Sequence, residues 1–355
     1  MDGLLRPVHS LPSRLGDARR GIIAGVDQDA VTAVVDRYTR FARDEAPGRS
    51  RVYQEWALRV AADGAVASVL ARIPDTHRQP PLVFAVLRLL GAPTQMGDAW
   101  AEWVVANADA IVAECGRRSL QTNEPLRCAA LLPALSLIDG PIALLEIGAS
   151  AGLCLYPDRY SYRFRSADGA ATHLDPGDGR SAVVLDCDVE GEPPLRLPEV
   201  VWRAGIDLQP LDARDPEDRA WLTGLVWPGE QGRLERISAA LDIAAADPPV
   251  LVAGDGAEAL PALAARAPRD ATLVVTTPGV LAHVPRRHRG AVISAARSAG
   301  RWVTLDAAGL HDAWNRPPVL RPGGFALALD GDVLASVDPL GAWVAWHPES
   351  KQRAQ

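Results

Sequence analysis

The segment LLEIGASAGL, residues 144–153, places an acidic residue and two closely spaced glycines directly after an apolar run. This pattern is typical of a turn from a buried strand into a helix, and we expect the helix to begin near Ser150. Gly148 and Gly152 would let a ligand approach the backbone, and both are predicted cofactor ligands together with Glu146 and Ser150. Glu146 would repel a pyrophosphate but suit a cation. The turn therefore favours S-adenosylmethionine, which carries an ammonium and a sulfonium group, over a dinucleotide.

Later apolar runs also end in small or acidic residues, as strands do when they open onto a ligand crevice. In AGIDLQP, Asp207 could accept both ribose hydroxyls, with Leu208 beside it. In VAGDGAEAL, Asp255 and Gly256 could meet the adenine. Thr277, at the end of the next run, completes the predicted cofactor site. The product of such a site would be S-adenosylhomocysteine.

The interval between Glu146 and Asp207 is far longer than the roughly 20 residues expected of a comparable unit. Residues 154–200 are therefore predicted to be an insertion, in which YSYRF and AVVLDCDVEG form a hairpin. Asp158 or Asp186 remains an alternative ribose ligand.

The stretch QTNEPLR is dense in polar side chains. Gln121, Asn123 and Arg127 are predicted substrate ligands, since Arg127 could pair with a carboxylate, and Glu124 is a candidate catalytic group. The alternative is a capping and turn cluster, because Thr122 or Asn123 can cap a helix that contains Glu124.

Methyl transfer requires alignment of the acceptor with the methyl group and, for a protonated acceptor, a base. His283 and Asp306 follow two predicted strands and are the candidate bases. Tyr160 and Trp227 are candidate substrate contacts, although both fit equally well in a core.

Helices and strands that could position these groups follow from the periodicity. Residues 28–140 show helical spacing and no strand signal, whereas from 141 to 347 short apolar runs alternate with helical segments. Asp330-Gly331 indicates a hairpin near the end. The predicted fold is α/β, with a mostly parallel sheet and an antiparallel C-terminal hairpin behind a helical N-terminal cap that would enclose the substrate. Together with the motifs E-x-G-x-x-x-G, G-I-D-L and A-G-D, this arrangement resembles the Rossmann-like class I methyltransferase fold. Residues 1–27 are predicted to be a loose leader and 348–355 a tail.

Composition restricts the partners. The 355 residues are 48% hydrophobic and carry a net charge of −7, which argues against nucleic acid as a partner. Four dispersed cysteines give neither a disulfide framework nor a metal site, and the N-terminus and apolar runs fit neither a secretory signal nor a membrane span. We expect a cytoplasmic monomer or homodimer that binds a small molecule, and a carboxylate-bearing metabolite is the candidate substrate.

Four segments resemble a largely uncharacterised bacterial family, domain of unknown function 2332, over roughly residues 30–347. They are QTNEPLRCAALLPAL, LLEIGASAGLCLYPDRYSYRF, GIDLQPLDARDPEDRAWLTGLVWPGE and LVAGDGAEALPAL. The resemblance implies a helical N-terminal part and a methyltransferase-like C-terminal part, but no reaction. Cys154 stands where the family usually has Asn, Tyr156-Pro157 replaces aliphatic residues, and TTPGVLAHVP is altered.

Three functions follow as hypotheses. The first is an adenosylmethionine-dependent methyltransferase acting on a small metabolite. The second is a degenerate protein of the same fold that binds a metabolite or partner without turnover. The third is a serine hydrolase, because GASAG matches the spelling of a nucleophile turn. Its nucleophile would be Ser150, with Asp255 or Asp306 and His283 or His311 as partners.

Overall fold

The computed structural model describes residues 26–95 and 97–347. The predicted tail, and all but the end of the predicted leader, lie outside these residues. The chain divides into two compact units. The first comprises the residues up to Leu120 together with Gly224–Gln231, and the second comprises Gln121–Thr223 and the residues from Gly232 onward. The sequence predicts that segment 121–140 joins the helices, whereas the structure places it in the second unit.

The first unit consists of helices around an aromatic core. Ser50 and Asp63 cap two of the helices by accepting hydrogen bonds from backbone N–H groups of the first turn. Trp227, from Gly224–Gln231, packs within this unit against Phe41 and Tyr53, with ring centroids 5.3 and 5.6 Å apart. The helices are α1 (Gln28–Asp44), α2 (Arg51–Ala62), α3 (Gly64–Ala71), α4 (Pro80–Leu89), α5 (Asp98–Ala106) and α6 (Ala108–Arg117).

The second unit is built on one mixed sheet. Its strands are β1 (Pro141–Ile147), β2 (Ser161–Ser166), β3 (Ala171–Leu174), β4 (Val184–Glu190), β5 (Glu199–Asp207), β6 (Val250–Ala253), β7 (Thr272–Pro278), β8 (Arg301–Asp306), β9 (Phe325–Leu329), β10 (Asp332–Val337) and β11 (Trp343–Trp346). Its helices are α7 (Arg127–Leu135), α8 (Pro216–Gly224, whose last residue falls in the first unit), α9 (Arg233–Ala246), α10 (Gly256–Ala264) and α11 (Arg286–Ala299).

Strand order across the sheet is β3-β2-β4-β11-β10-β9-β8-β7-β1-β5-β6. Strands β6, β5, β1, β7 and β8 are parallel, and β9, β10 and β11 continue the sheet in antiparallel pairs. The predicted α/β class with a mostly parallel sheet and an antiparallel hairpin at Asp330-Gly331 is confirmed. The chain places β5 and β6 on one side of β1 and then β7 and β8 on the other. The direction of winding therefore reverses between β1 and β7, where open α/β sheets bind ligands.

Two local predictions are wrong. No α-helix follows the glycine turn, because Gly148, Ser150 and Gly152 all have positive φ (78°, 52° and 75°), which a right-handed helix excludes. A short 3₁₀ helix, Leu153–Leu155, takes its place. The predicted hairpin between YSYRF and AVVLDCDVEG is also absent: β2 and β4 run parallel, and β3 is the antiparallel partner of β2.

The close fit of β5 beneath the glycine turn is testable, because it depends on the missing side chain of Gly205. A Cβ atom there would lie 2.3 Å from Ala149 Cβ and 2.9 Å from Leu251 Cδ2. We expect Gly205→Ala to lower the free energy of unfolding by about 1–3 kcal/mol, measured by urea denaturation. Gly290→Ala is the control, since its Cβ meets nothing within 4 Å in α11. Equal stability of the two variants would contradict this packing.

Candidate functional site

Every backbone N–H of the glycine turn is bonded within the protein. Gly148 and Ala149 both donate to Ile206 O, at 2.7 and 3.1 Å. The next three residues donate to Asp207 Oδ2, Asn123 Oδ1 and Ala149 O in turn. A Cβ on Gly148 would lie 2.3 Å from Val280 Cγ2. Contrary to expectation, protein atoms rather than a ligand fill the space over Gly148, and no N–H group of the turn is left to hold a phosphate.

The buried side chain of Ser150 is fixed by two amides. Its Oγ accepts from Asn123 Nδ2 at 2.6 Å and donates to Gln121 Oε1, while Gln121 Nε2 donates to Gln209 O at 2.9 Å. A side-chain amide cannot take the proton of an attacking hydroxyl at neutral pH. Among the described residues, no histidine hydrogen-bonds Ser150. Gln121 and Asn123, predicted substrate ligands, thus hold the turn, and the geometry lacks the base that a hydrolase requires.

Asp207 and Leu208 lie at the carboxyl end of β5. The Asp207 carboxylate is half-buried and held in place, since Oδ2 accepts from Ser150 N at 2.8 Å and Oδ1 from Gln209 N at 2.9 Å. Each oxygen retains further acceptor capacity. The Leu208 side chain is 77% exposed. A fixed carboxylate therefore adjoins an open apolar surface.

Asp158 and Asp186, the two alternative ribose ligands, each form an ion pair with an arginine. Asp158 forms a bidentate ion pair with Arg203, at 2.8 and 2.7 Å. Asp186 pairs with Arg165 at 3.0 Å on β2, in the inserted part of the sheet. Of the three carboxylates, only Asp207 lies at the end of a strand that neighbours β1.

Asp255 and Gly256 begin α10. Asp255 Oδ1 caps the helix by accepting from Ala257 N at 2.9 Å and from Glu258 N at 3.4 Å. Gly256 is required by packing, because a Cβ there would lie 2.6 Å from Ile147 Cγ2. Both residues have a local structural role, and capping uses only one of the two oxygens of Asp255.

Glu146 is a buried carboxyl group, and one of its two oxygens has no hydrogen-bond partner among the described residues. The residue is 4% exposed, and this oxygen is Oε2. Burial first, then Cys154 and Asp207, raise its pKa well above the usual value, and Arg127 acts in the opposite direction. Arg127 donates to Pro278 O at 2.9 Å and to Pro339 O at 3.0 Å, which fixes its guanidinium beside the end of β7. The folded protein therefore favours a neutral Glu146 close to a fixed cation.

Asp306 ends a buried chain of hydrogen bonds that sequence reasoning missed. Trp302 Nε1 donates to Thr277 Oγ1, Thr277 Oγ1 donates to Thr304 Oγ1 (3.0 Å each), and Thr304 Oγ1 donates to Asp306 Oδ2. Because an indole N–H only donates, it fixes the direction of the chain. Thr277, a predicted cofactor ligand, is an interior link. The alternation of Trp302, Thr304 and Asp306 along β8 was the signal for the shared face.

Asp306 is fully buried, and its Oδ1 has no hydrogen-bond partner in the described part of the chain. Burial raises its pKa to about 7, although the Thr304 bond and the charges of Arg127 and Arg289 oppose the rise. Strand pairing places Leu145, Val275 and Trp302 on the face covered by α10 and α11, so Asp306 lies on that face and Glu146 on the other. The two carboxyl groups do not share one pocket.

His283 follows β7 and has an exposed side chain. Protein still surrounds much of the ring, and this loss of hydration lowers its pKa; the charge of Arg127 lowers it further, and Asp207 acts in the opposite direction. The imidazole is therefore neutral at pH 7 and can accept a proton. Its electrostatic neighbours place it at the same edge of the sheet as Asp207.

The remaining predicted residues have structural partners. Glu124 is buried and binds Arg233 and Arg236 at 2.8 Å each, which anchors α9 rather than leaving a free base. Tyr160 is buried and donates to Leu153 O at 2.7 Å. Trp227 belongs to the first unit, where the Arg49 guanidinium lies 3.7 Å from its ring centroid.

No helix within the described ranges is long and apolar enough to cross a membrane. The same residues contain no group of three or more His, Cys, Asp or Glu side chains that could hold a metal ion. The four cysteines are free thiols and buried.

The protonation of Asp306 predicts a pH-dependent stability. The folded protein retains this proton up to about pH 7, whereas the unfolded chain loses it near pH 4, so wild-type stability falls as the pH rises between these values. Asp306→Asn removes the buried charge. We therefore expect its free energy of unfolding to rise by about 1–3 kcal/mol relative to that of wild type as the pH goes from 5 to 8. Urea unfolding followed by tryptophan fluorescence measures this, with the exposed Asp270→Asn as control. If the difference in unfolding free energy between wild type and Asp306→Asn did not change with pH, Asp306 would not hold its proton up to about pH 7 in the folded protein.

Comparison with known proteins gives a family but no function. No curated protein matches the chain, and no solved structure matches it. A family described as an uncharacterised protein conserved in bacteria, domain of unknown function 2332, matches residues 35–346. The match spans both compact units, including the glycine turn and the residues around it. The chain therefore belongs to this family, as the resemblance in the four segments predicts.

Proposed function

We propose that the second unit binds S-adenosylmethionine at the carboxyl ends of β1, β5 and β6 and transfers its methyl group to a small metabolite. The observation that carries the proposal is the pairing of Asp207 with the exposed Leu208 at the end of β5. A carboxylate held by two backbone N–H groups can accept both hydroxyls of a ribose without rearranging. The adjoining leucine offers a flat apolar contact for a base.

Exposure of Leu208 favours a ligand there on energetic grounds. Leucines in folded domains are usually buried, and burying this side chain against an adenine would contribute about 1–2 kcal/mol. The free oxygen of Asp255, after the next strand, would accept from the adenine amino group. These contacts recognise an adenosine.

The glycine turn supports a ligand without phosphate at this position. Since its N–H groups are all bonded within the protein, it offers no site for the pyrophosphate of a dinucleotide. Glu146 beside it has an unpartnered oxygen and favours the neutral form. An ammonium group brought to this oxygen would favour the ionised form, so ligand binding would release the proton of Glu146.

His283 is our candidate for the base that accepts the proton of the acceptor substrate. It is neutral at pH 7, accessible, and influenced electrostatically by Asp207 and Arg127. Arg127 would attract a substrate carboxylate. Asp306 is less suited to this role, because it faces α11 from the interior.

Isothermal titration calorimetry tests the proposal. Wild type should bind S-adenosylmethionine and S-adenosylhomocysteine, and at pH 7 each should release about one proton, detected as a dependence of the heat on the ionisation enthalpy of the buffer. Glu146→Gln should abolish the proton release and weaken both ligands at least about tenfold, but leave adenosine binding unchanged. Leu208→Ser should weaken all three ligands by about three- to tenfold.

Val319→Ser is the matched control, because Val319 is 82% exposed in the same unit and far from the proposed ligands in sequence. It should bind like wild type. Failure of the folded wild type to bind either sulfur-containing ligand contradicts the proposal. Binding without methyl transfer to any acceptor in a metabolite screen would instead favour the degenerate binding protein.

A further inference from the structure

A cleft on the second unit runs along α11. Its volume is about 680 Å³, and the segment from Gly309 to Ala313 forms its opposite wall. Arg286, Arg289 and Arg297 contribute guanidinium groups, and Ser294 and Ser298 contribute hydroxyls. Asp312 is the one acidic residue in the lining. The cleft is therefore rich in donors and carries a net positive charge.

Helix α11 is unusual in its charges. Its 14 residues, RRHRGAVISAARSA, include no acidic residue, although the chain as a whole has a net charge of −7. Three arginines lie in its first turn, where the helix dipole disfavours cations, and Pro285 provides no side-chain cap. An anion bound at this end would interact favourably with both the dipole and the arginines.

The arginines are available to such an anion. Within the described part of the chain, Arg286 and Arg297 are exposed and have no ion-pair partner. Arg289 is oriented by bonds to two backbone oxygens, Val284 O at 2.9 Å and Leu310 O at 3.1 Å, and neither partner neutralises its charge. A guanidinium held in this way loses little side-chain entropy when it binds a ligand.

His311 provides a second, independent indication. It is 9% exposed and lines the cleft, and the ring of Trp314 packs against it at a centroid distance of 4.0 Å and an interplanar angle of 32°. Its Nδ1 accepts from Ala313 N at 3.1 Å, so in the neutral ring Nε2 carries the hydrogen. Nε2 has no acceptor among the described residues. A buried N–H without an acceptor is costly, and an anionic oxygen would satisfy it.

We infer that this cleft binds a small molecule bearing a phosphate group, through Arg286, Arg289 and Arg297 and the Nε2–H of His311. The dipole at the start of α11, the fixed guanidinium of Arg289 and a neutral donor match an oxyanion with several acceptor oxygens. The apolar lining at Ile293 and Leu310 would contact the rest of the ligand. None of these residues belongs to the proposed adenosylmethionine site, so the inference does not rest on that proposal.

The test uses inorganic pyrophosphate as the probe, with calorimetry and NMR of the full chain. Arg286→Gln combined with Arg297→Gln removes two guanidinium groups that form no ion pair with the residues that the structure describes. We expect this double variant to weaken pyrophosphate binding at least about tenfold. The His311 ring resonances of wild type should shift on titration.

The matched control combines Arg266→Gln with Arg269→Gln, which removes two exposed arginines of the same unit outside the cleft. It should bind pyrophosphate like wild type. If both double variants bound pyrophosphate equally more weakly than wild type, the affinity would depend only on the overall charge of the protein, and the inference would be overturned. So would an absence of saturable binding, or binding that leaves the His311 resonances unmoved.

Discussion

The attachment of the glycine turn to β5 is the constraint on which the second unit depends. Ile206 O accepts hydrogen bonds from two consecutive amides, those of Gly148 and Ala149, and the carboxylate of Asp207 accepts a third from Ser150. Gly205 permits this contact because a side chain there would collide with Ala149. These bonds hold the turn against the end of β5, with Gly148, Ser150 and Gly152 in the left-handed conformation. The same bonds leave Asp207 fixed at the edge of the sheet.

The sequence predicted the class of fold well because its main signals are local. Alternation of short apolar runs with helical segments was sufficient to locate β1, β5, β6, β7 and β8, and Asp330-Gly331 located the hairpin. Interactions between distant residues were not predictable in the same way. The helix expected at Ser150 is prevented by contacts with Asn123 and Asp207, and the parallel pairing of β2 with β4 depends on β3.

The same contrast between local signals and contacts of distant residues applies to the candidate site. The positions of Glu146, Asp207 and Leu208 near the ends of β1 and β5 were predictable because strand ends are recognisable in sequence. The links from Trp302 to Asp306 were missed, because the pairing of Thr277 with Thr304 depends on the register of two strands. Glu124 and Tyr160 illustrate the converse: a polar residue in a polar segment is as well explained by an ion pair or a buried hydroxyl bond as by a ligand.

The position of β11 has a consequence for the order in which the chain can fold. This strand lies between β10 and β4, and of the strands it alone joins β2, β3 and β4 to the rest of the sheet. It is also the last strand that the structure describes. During synthesis, the inserted strands must therefore wait, with one edge unpaired, until more than 150 further residues have been made. Such an exposed edge is a place where a nascent chain can associate wrongly before β11 is made.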